Sequence, residues 1–317
     1  MSLTQHLRTR GPIRTWWEQH SAGLDPYVAE LQRLADRPTA PLSVRGIEHA
    51  AAVGGIVGRL IETTVEPAPP YAAILGSGRR QDATLWPTHA PLAESDYSTT
   101  AVEWRPTPAG WRHLVPGRDH GAHSVDLQRV AAIETSTAPS LADRARAAAV
   151  VASLEAAYRS GQRPAPISAE ATSDAVSIIR DQHASLDRAA YLCGGMVRGH
   201  VAPVFAAHWA DGDLLLGPGR GGGYGLVDIK TVSRTTLSHP QWTQQWLWQL
   251  LSYAAADAAE DLWRIRAVGL WLPRQDALVM WSVARMWDDL QADPASLARL
   301  LQAAYEADYR AARRARR

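Results

Sequence analysis

Apolar residues follow two different periods in this chain, and the change from one to the other divides it. Before about residue 200, outside residues 66–140, they recur at helical spacing; beyond Val201 they come in short runs bounded by glycine, proline and aspartate, as strands do. Asp25-Pro26 reads as an N-cap followed by a first-turn proline, opening a helix through Leu34. Residues 43–65, SVRGIEHAAAVGGIVGRLIETTV, keep helical spacing despite their glycines. Glycine costs about 1 kcal/mol against alanine inside a helix, so Gly54, Gly55 and Gly58 predict a close-packed neighbour. Pro67, Pro69 and Pro70 end that helix. Residues 66–140 are rich in Pro, Ser, Thr and Gly but carry Trp86, Trp104 and Trp111, which predicts irregular structure with short strands instead of a flexible linker. A clear amphipathic helix begins at Ser140 or Leu141 and closes at Gly161; another is expected from Asp174 to Ala190.

In the second half, LLL at 214–216 and GLVDIKTV at 225–232 read as strands joined by GPGRGGGYG, followed by a helix over 241–257. Residues 264–272 and 277–283 form a second strand pair around the turn at 273–276, and Asp293-Pro294 starts a C-terminal helix that ends in RAARRARR. Helices first, then strand, strand, helix, strand, strand, helix, predict an α/β or α+β sheet domain with helical flanks. The expected division is an N-terminal helical and irregular region, 1–140, contributing a core helix at about 43–65, and a sheet domain, 141–317.

Composition narrows the function classes. With 317 residues, 33 Lys plus Arg, 32 Asp plus Glu and a formal net charge of +1, the molecule is no polycation, and any nucleic-acid contact must come from local arginine clusters. Cys193 is the single cysteine, which excludes an intramolecular disulfide and a multi-cysteine zinc site and fits a reducing compartment. The N-terminus lacks the apolar core of a signal peptide, and no run of about 18 apolar residues occurs. The expectation is a soluble, cytoplasmic protein.

One residue stands out chemically. Lys230 is the only lysine; every other basic side chain apart from histidine is arginine. Arginine is a planar fork that stays protonated, whereas lysine is a compact charge whose pKa responds to its surroundings, so a position that keeps lysine here asks for that chemistry. Asp228 lies two residues earlier and projects to the same side of an extended strand. Asp213 precedes the other strand of the hairpin and can approach Asp228 across it. Two carboxylates converging beside an ammonium suit a hard divalent cation such as Mg²⁺, which takes one or two protein carboxylates and keeps several waters. Such an ion acidifies bound water and stabilises charge on a phosphoryl oxygen, while the lysine positions or helps deprotonate the attacking water. On the following helix, Gln249 and Tyr253 share a face with Trp242 and Trp246.

Together Asp213 in ADGDLLL, Asp228 and Lys230 in LVDIKT, and the Q-x-x-x-Y of Gln249 and Tyr253 in WQLLSY resemble the PD-(D/E)XK nuclease superfamily, specifically its RecB-type exonuclease branch. The resemblance is strong over residues 202–260. It implies a restriction-endonuclease-like mixed sheet, a Mg²⁺- or Mn²⁺-dependent deoxyribonuclease acting on single- or double-stranded DNA, and a place in repair, recombination or phage defence. It also assigns roles: Asp213 and Asp228 as metal ligands, Lys230 for water activation, Gln249 and Tyr253 in support. The branch supplies a further histidine or acidic ligand from an early helix. Here glycine, Gly58, stands at the histidine's place, and Glu62, one turn on, is the residue left to take its part. The alternative from another class is a catalytically inactive member that binds nucleic acid or a protein partner.

Asp211 competes with Asp213 as ligand, but Asp213 abuts the LLL strand. The glycine run lacks the spacing of a phosphate loop and joins two strands, so it is read as a hairpin turn. Asp119, His120 and His123 are read as a polar loop in preference to a metal cluster. Trp242, Trp246 and Trp248 are expected in the core more than on bases, and the basic tail as a solvated helix end.

Overall fold

The computed structural model describes residues 2–66, 70, 73, 103–107, 110–115, 118–119, 130, 132–134, 136–160, 165–206, 209–219 and 222–314. In chain order, α1 (Leu3–Arg8), α2 (Pro12–His20) and α3 (Asp25–Leu34) precede the longer α4 (Ile47–Val65). A three-stranded antiparallel sheet of β1 (Glu103–Thr107), β2 (Gly110–Val115) and β3 (Arg118–Asp119) follows, then α5 (Leu141–Ser160), α6 (Ala169–Arg180) and α7 (His183–Leu192). The remainder comprises β4 (Gly199–Val201), β5 (Val204–Ala206), β6 (Ala210–Asp211), β7 (Leu214–Leu216), β8 (Tyr224–Ile229), α8 (Arg234–Leu237), α9 (Pro240–Glu260), β9 (Ile265–Leu272), β10 (Ala277–Ser282), α10 (Val283–Leu290) and α11 (Pro294–Arg314). The mixed α/β class is thus present. No helix among the described residues is long and apolar enough to cross a membrane.

The chain divides otherwise than at residue 140. Residues 1–39 and 184–317 form one compact unit and residues 40–183 the other. The physical reason lies in the first helices, whose buried residues Trp16, Trp17, Leu24 and Leu31 belong to the same apolar cluster as Leu226, Leu250 and Leu270 of the sheet unit. Trp17 is fully buried, donates its indole N–H to Ser252 Oγ at 3.1 Å, and stacks on Trp248 and Trp287. Helical periodicity marks an apolar face on α2 and α3 but leaves open what covers it.

The sheet unit is built on five strands in the order β10-β9-β8-β7-β4. Only β8 and β9 run parallel, connected through α8 and α9; the other pairings are antiparallel. Because β8 and β9 are central and covered on both faces, they read as near-continuous apolar runs instead of alternating ones. Gly269 in β9 lies so close to β10 that a Cβ there would collide with the Val279 carbonyl. At the end of α9, the buried carboxylate of Asp257 accepts from the backbone N–H groups of Trp263 (2.7 Å) and Ile265 (2.9 Å), which fixes where β9 begins. Asp257→Ala leaves both donors unpaired and is expected to destabilise the protein by about 3 kcal/mol, measurable as a lowered denaturant midpoint; Asp257→Asn, which keeps one acceptor oxygen, should lose less.

The expected single helix over 174–190 is two. Ser168 caps α6 by accepting from Ala171 N–H, and α6 ends at Arg180. The Asp276 carboxylate, from the turn between β9 and β10, then accepts from the N–H groups of Ala184 and Ser185, both at 2.9 Å, and so starts α7. That cap is a contact across about ninety residues of chain, invisible to local periodicity.

In the other unit α4 packs against α5 and α6, burying Val53, Ile56, Val57 and Leu60. The close approach expected of its glycines occurs at Gly55, where a Cβ would stand 2.8 Å from Ala152 Cβ; Gly58 faces open space. Trp104 and Trp111 fall on paired strands, as short strands were expected there. Trp86 and the side chains of Asp119, His120 and His123 lie outside the described residues.

Candidate active site

The hairpin of β7 and β8 sets the geometry. Leu214 pairs with Val227, so Asp213, one residue before β7, stands opposite Asp228. β8 ends at Ile229, earlier than residue 232, but the Lys230 N–H still donates to the Trp271 carbonyl at 2.9 Å and keeps the residue in strand alignment. Lys230 Nζ consequently lies 2.5 Å from Asp228 Oδ2, on the side that strand alternation requires. Asp213 Oδ2 accepts from the Ile229 N–H at 2.7 Å, which pins that carboxylate across the strand end.

Burial distinguishes the two partners of the pair. Asp228 is 4% exposed, whereas 23% of the Lys230 side chain reaches solvent. Asp228 Oδ2 lies against the ammonium. Burial pushes the Asp228 carboxyl up to about 6, and the charge of Asp213 pushes the same way, against the pull of Lys230. Burial alone would lower Lys230, but the charges of Asp228 and Asp213 outweigh it and hold the amine protonated above its ordinary range.

On α9, Gln249 Nε2 donates to the Tyr253 hydroxyl at 2.8 Å, the i, i+4 contact that the Q-x-x-x-Y spacing predicts. Tyr253 is buried and stacks on Phe205, the only phenylalanine, with ring centroids 4.9 Å apart. Its hydroxyl is pushed well above the usual phenol range, by burial first and then by the charges of Asp211, Asp228 and Asp213. Tyr253 is therefore a neutral phenol beside the carboxylates. Trp246 and Trp248 are core residues, while Trp242, on the same face as Gln249, is 41% exposed.

The structure thus brings Asp213, Asp228 and Lys230 together and sets Tyr253, with Gln249, within reach of their charges. Asp211 is exposed on β6 and acts on Tyr253 through its charge. Glu62 belongs to α4, where it pairs with buried Arg59 at 3.5 Å; Arg59 is also held by Glu134 at 3.0 Å. Among the described residues no group of three or more His, Cys, Asp and Glu side chains comes together as a metal site. The Asp213 and Asp228 pair nevertheless suits Mg²⁺ or Mn²⁺: two carboxylates set opposite each other offer hard oxygens of the kind these ions take.

Two neighbours had no signal in the sequence. Phe205 reaches Tyr253 from β5, and Arg8, at the end of α1, acts electrostatically on Lys230 more than two hundred residues away. No protein-family model, curated protein or solved structure matches this chain.

Proposed function

We propose that this protein is a divalent-metal-dependent deoxyribonuclease of the PD-(D/E)XK superfamily, in the RecB-type branch. The observation that carries the reading is the convergence, at the end of one hairpin, of two opposed carboxylates and the chain's single lysine. Support comes also from the five-stranded mixed sheet beneath them and from the Gln249 to Tyr253 hydrogen bond on the next helix.

Asp213 and Asp228 would hold Mg²⁺ or Mn²⁺, which when bound supplies an acidified water and a positive charge facing a phosphoryl oxygen. Lys230, kept as an ammonium by both carboxylates, donates hydrogen bonds to the attacking water or to a non-bridging oxygen and compensates the charge that develops there. Ile229 N–H holds Asp213 in register, and the neutral Tyr253 phenol keeps a fixed dipole beside the carboxylates.

A second reading keeps the fold and drops the chemistry. Gly58 in place of a histidine, with Glu62 paired to Arg59, favours a protein that binds nucleic acid without cutting it. Incubation with labelled single- and double-stranded DNA separates the two. Degradation with Mg²⁺ or Mn²⁺ that stops with EDTA and with Asp213→Ala is expected. Binding without cleavage under any divalent ion would overturn the nuclease reading in favour of the second.

A further inference from the structure

Arg8 and Trp242 form a pair that the catalytic constellation does not use. α1 packs on α9, and its last residue, Arg8, lies over the Trp242 ring with Cζ 5.8 Å from the centroid. Arg8 is exposed, so its charge is available to an anion. Trp242 is 41% exposed, in contrast to Trp246 and Trp248, which are 8% and 4% exposed and packed inside. An indole left this open on a polar helix end, with a cation fixed against it, is poorly explained as core packing.

Its position relates it to the centre. Trp242, Trp246, Gln249 and Tyr253 lie along one face of α9. Trp242 is seven residues, or about 10 Å, before Gln249 along the helix axis. Arg8's charge meanwhile reaches Lys230. A strand whose phosphate sits at Lys230 and runs towards the N-terminal end of α9 meets Arg8 and Trp242, and an exposed cation over an exposed indole suits a phosphate and its base.

We propose that Arg8 and Trp242 form a platform for single-stranded DNA, Trp242 stacking on a base next to the phosphate at Lys230 and Arg8 contacting the backbone of that nucleotide. Bases paired within a duplex already stack on their neighbours and cannot lie flat on an indole without being turned out. The platform thus selects an unpaired strand or a frayed end. This rests on the nuclease reading only in placing a phosphate at Lys230.

The test is equilibrium binding without divalent ions, so that no cleavage intervenes, using a fluorescein-labelled oligothymidine, a blunt duplex and an abasic strand of the same length. Trp242→Ala is expected to weaken oligothymidine binding about tenfold, with Trp242→Phe recovering most of it, and to leave the duplex and the abasic strand within about twofold. Arg8→Ala should reduce the slope of log affinity against log salt by about 0.7, the loss of one phosphate contact on a single strand. Thermal melts of each variant confirm an unchanged fold. Equal weakening on all three ligands, no weakening on oligothymidine, or no DNA binding by the parent protein would each overturn the platform. A parent that binds oligothymidine through Trp242 but cuts nothing would retain the platform and remove the nuclease reading. Cleavage untouched by Trp242→Ala, with unchanged binding, would do the reverse.

Discussion

Lys230→Ala is expected to lower DNA cleavage about a thousandfold at saturating metal, within the range that a positioned proton donor or acceptor contributes, while DNA binding changes far less. Lys230→Arg should be nearly as inactive. The guanidinium keeps the charge but is longer, planar and unable to place one compact donor 2.5 Å from Asp228 Oδ2. The measurement is single-turnover cleavage of a labelled oligonucleotide with Mg²⁺ and with Mn²⁺, beside binding of the same strand in EDTA. A rate for Lys230→Ala close to that of the parent would remove Lys230 from the chemistry and leave its isolation among arginines without a chemical cause.

Asp228→Asn should have the second large effect, on stability, and its sign follows from the raised carboxyl. The folded-state value of about 6 lies above the ordinary 3.8, so between these values the folded protein holds a proton that the unfolded chain releases. The associated stability is fully present below about pH 4 and is lost as pH rises through about 6. At pH 8 the cost of keeping Asp228 ionised is about 3 kcal/mol, from about two pKa units at 1.36 kcal/mol each. Asparagine resembles the protonated acid in shape and neutrality. The variant should therefore match the parent near pH 4, melt several degrees higher at pH 8, and lose most of the decline of Tm with pH. Mg²⁺ should raise Tm for the parent at pH 8 by binding the ionised form, and do so little for the variant. Parallel pH profiles for the two proteins would show that Asp228 carries no such cost.

The two predictions pull in opposite directions at one site. On the proposed metal-dependent reading, a buried carboxylate that weakens the fold at neutral pH is the group that holds the cation, and its stabilising substitution is expected to abolish that binding. Asp257 is the contrast: it is just as buried, but two backbone N–H groups occupy its oxygens and it serves the fold alone.

Local chemistry was legible in the amino-acid sequence. Strand alternation placed Asp228 and Lys230 on one side, the hairpin brought Asp213 opposite, and i, i+4 spacing joined Gln249 to Tyr253. Each of these depends on covalent geometry over a few residues. What the sequence could not show depends on partners far along the chain. Asp228 is buried because β8 lies between β7 and β9, an order that only the assembled sheet decides. α7 begins at residue 183 because Asp276 caps it. The first helices join the sheet unit because their tryptophans fill its core, and the charge of Arg8 thereby acts on Lys230. The sequence by itself determined which groups meet on the hairpin and the helix after it. Tertiary structure decided how deeply they are buried, and hence their charge states and neighbours, because burial is a property of the packed layers and not of spacing along the chain.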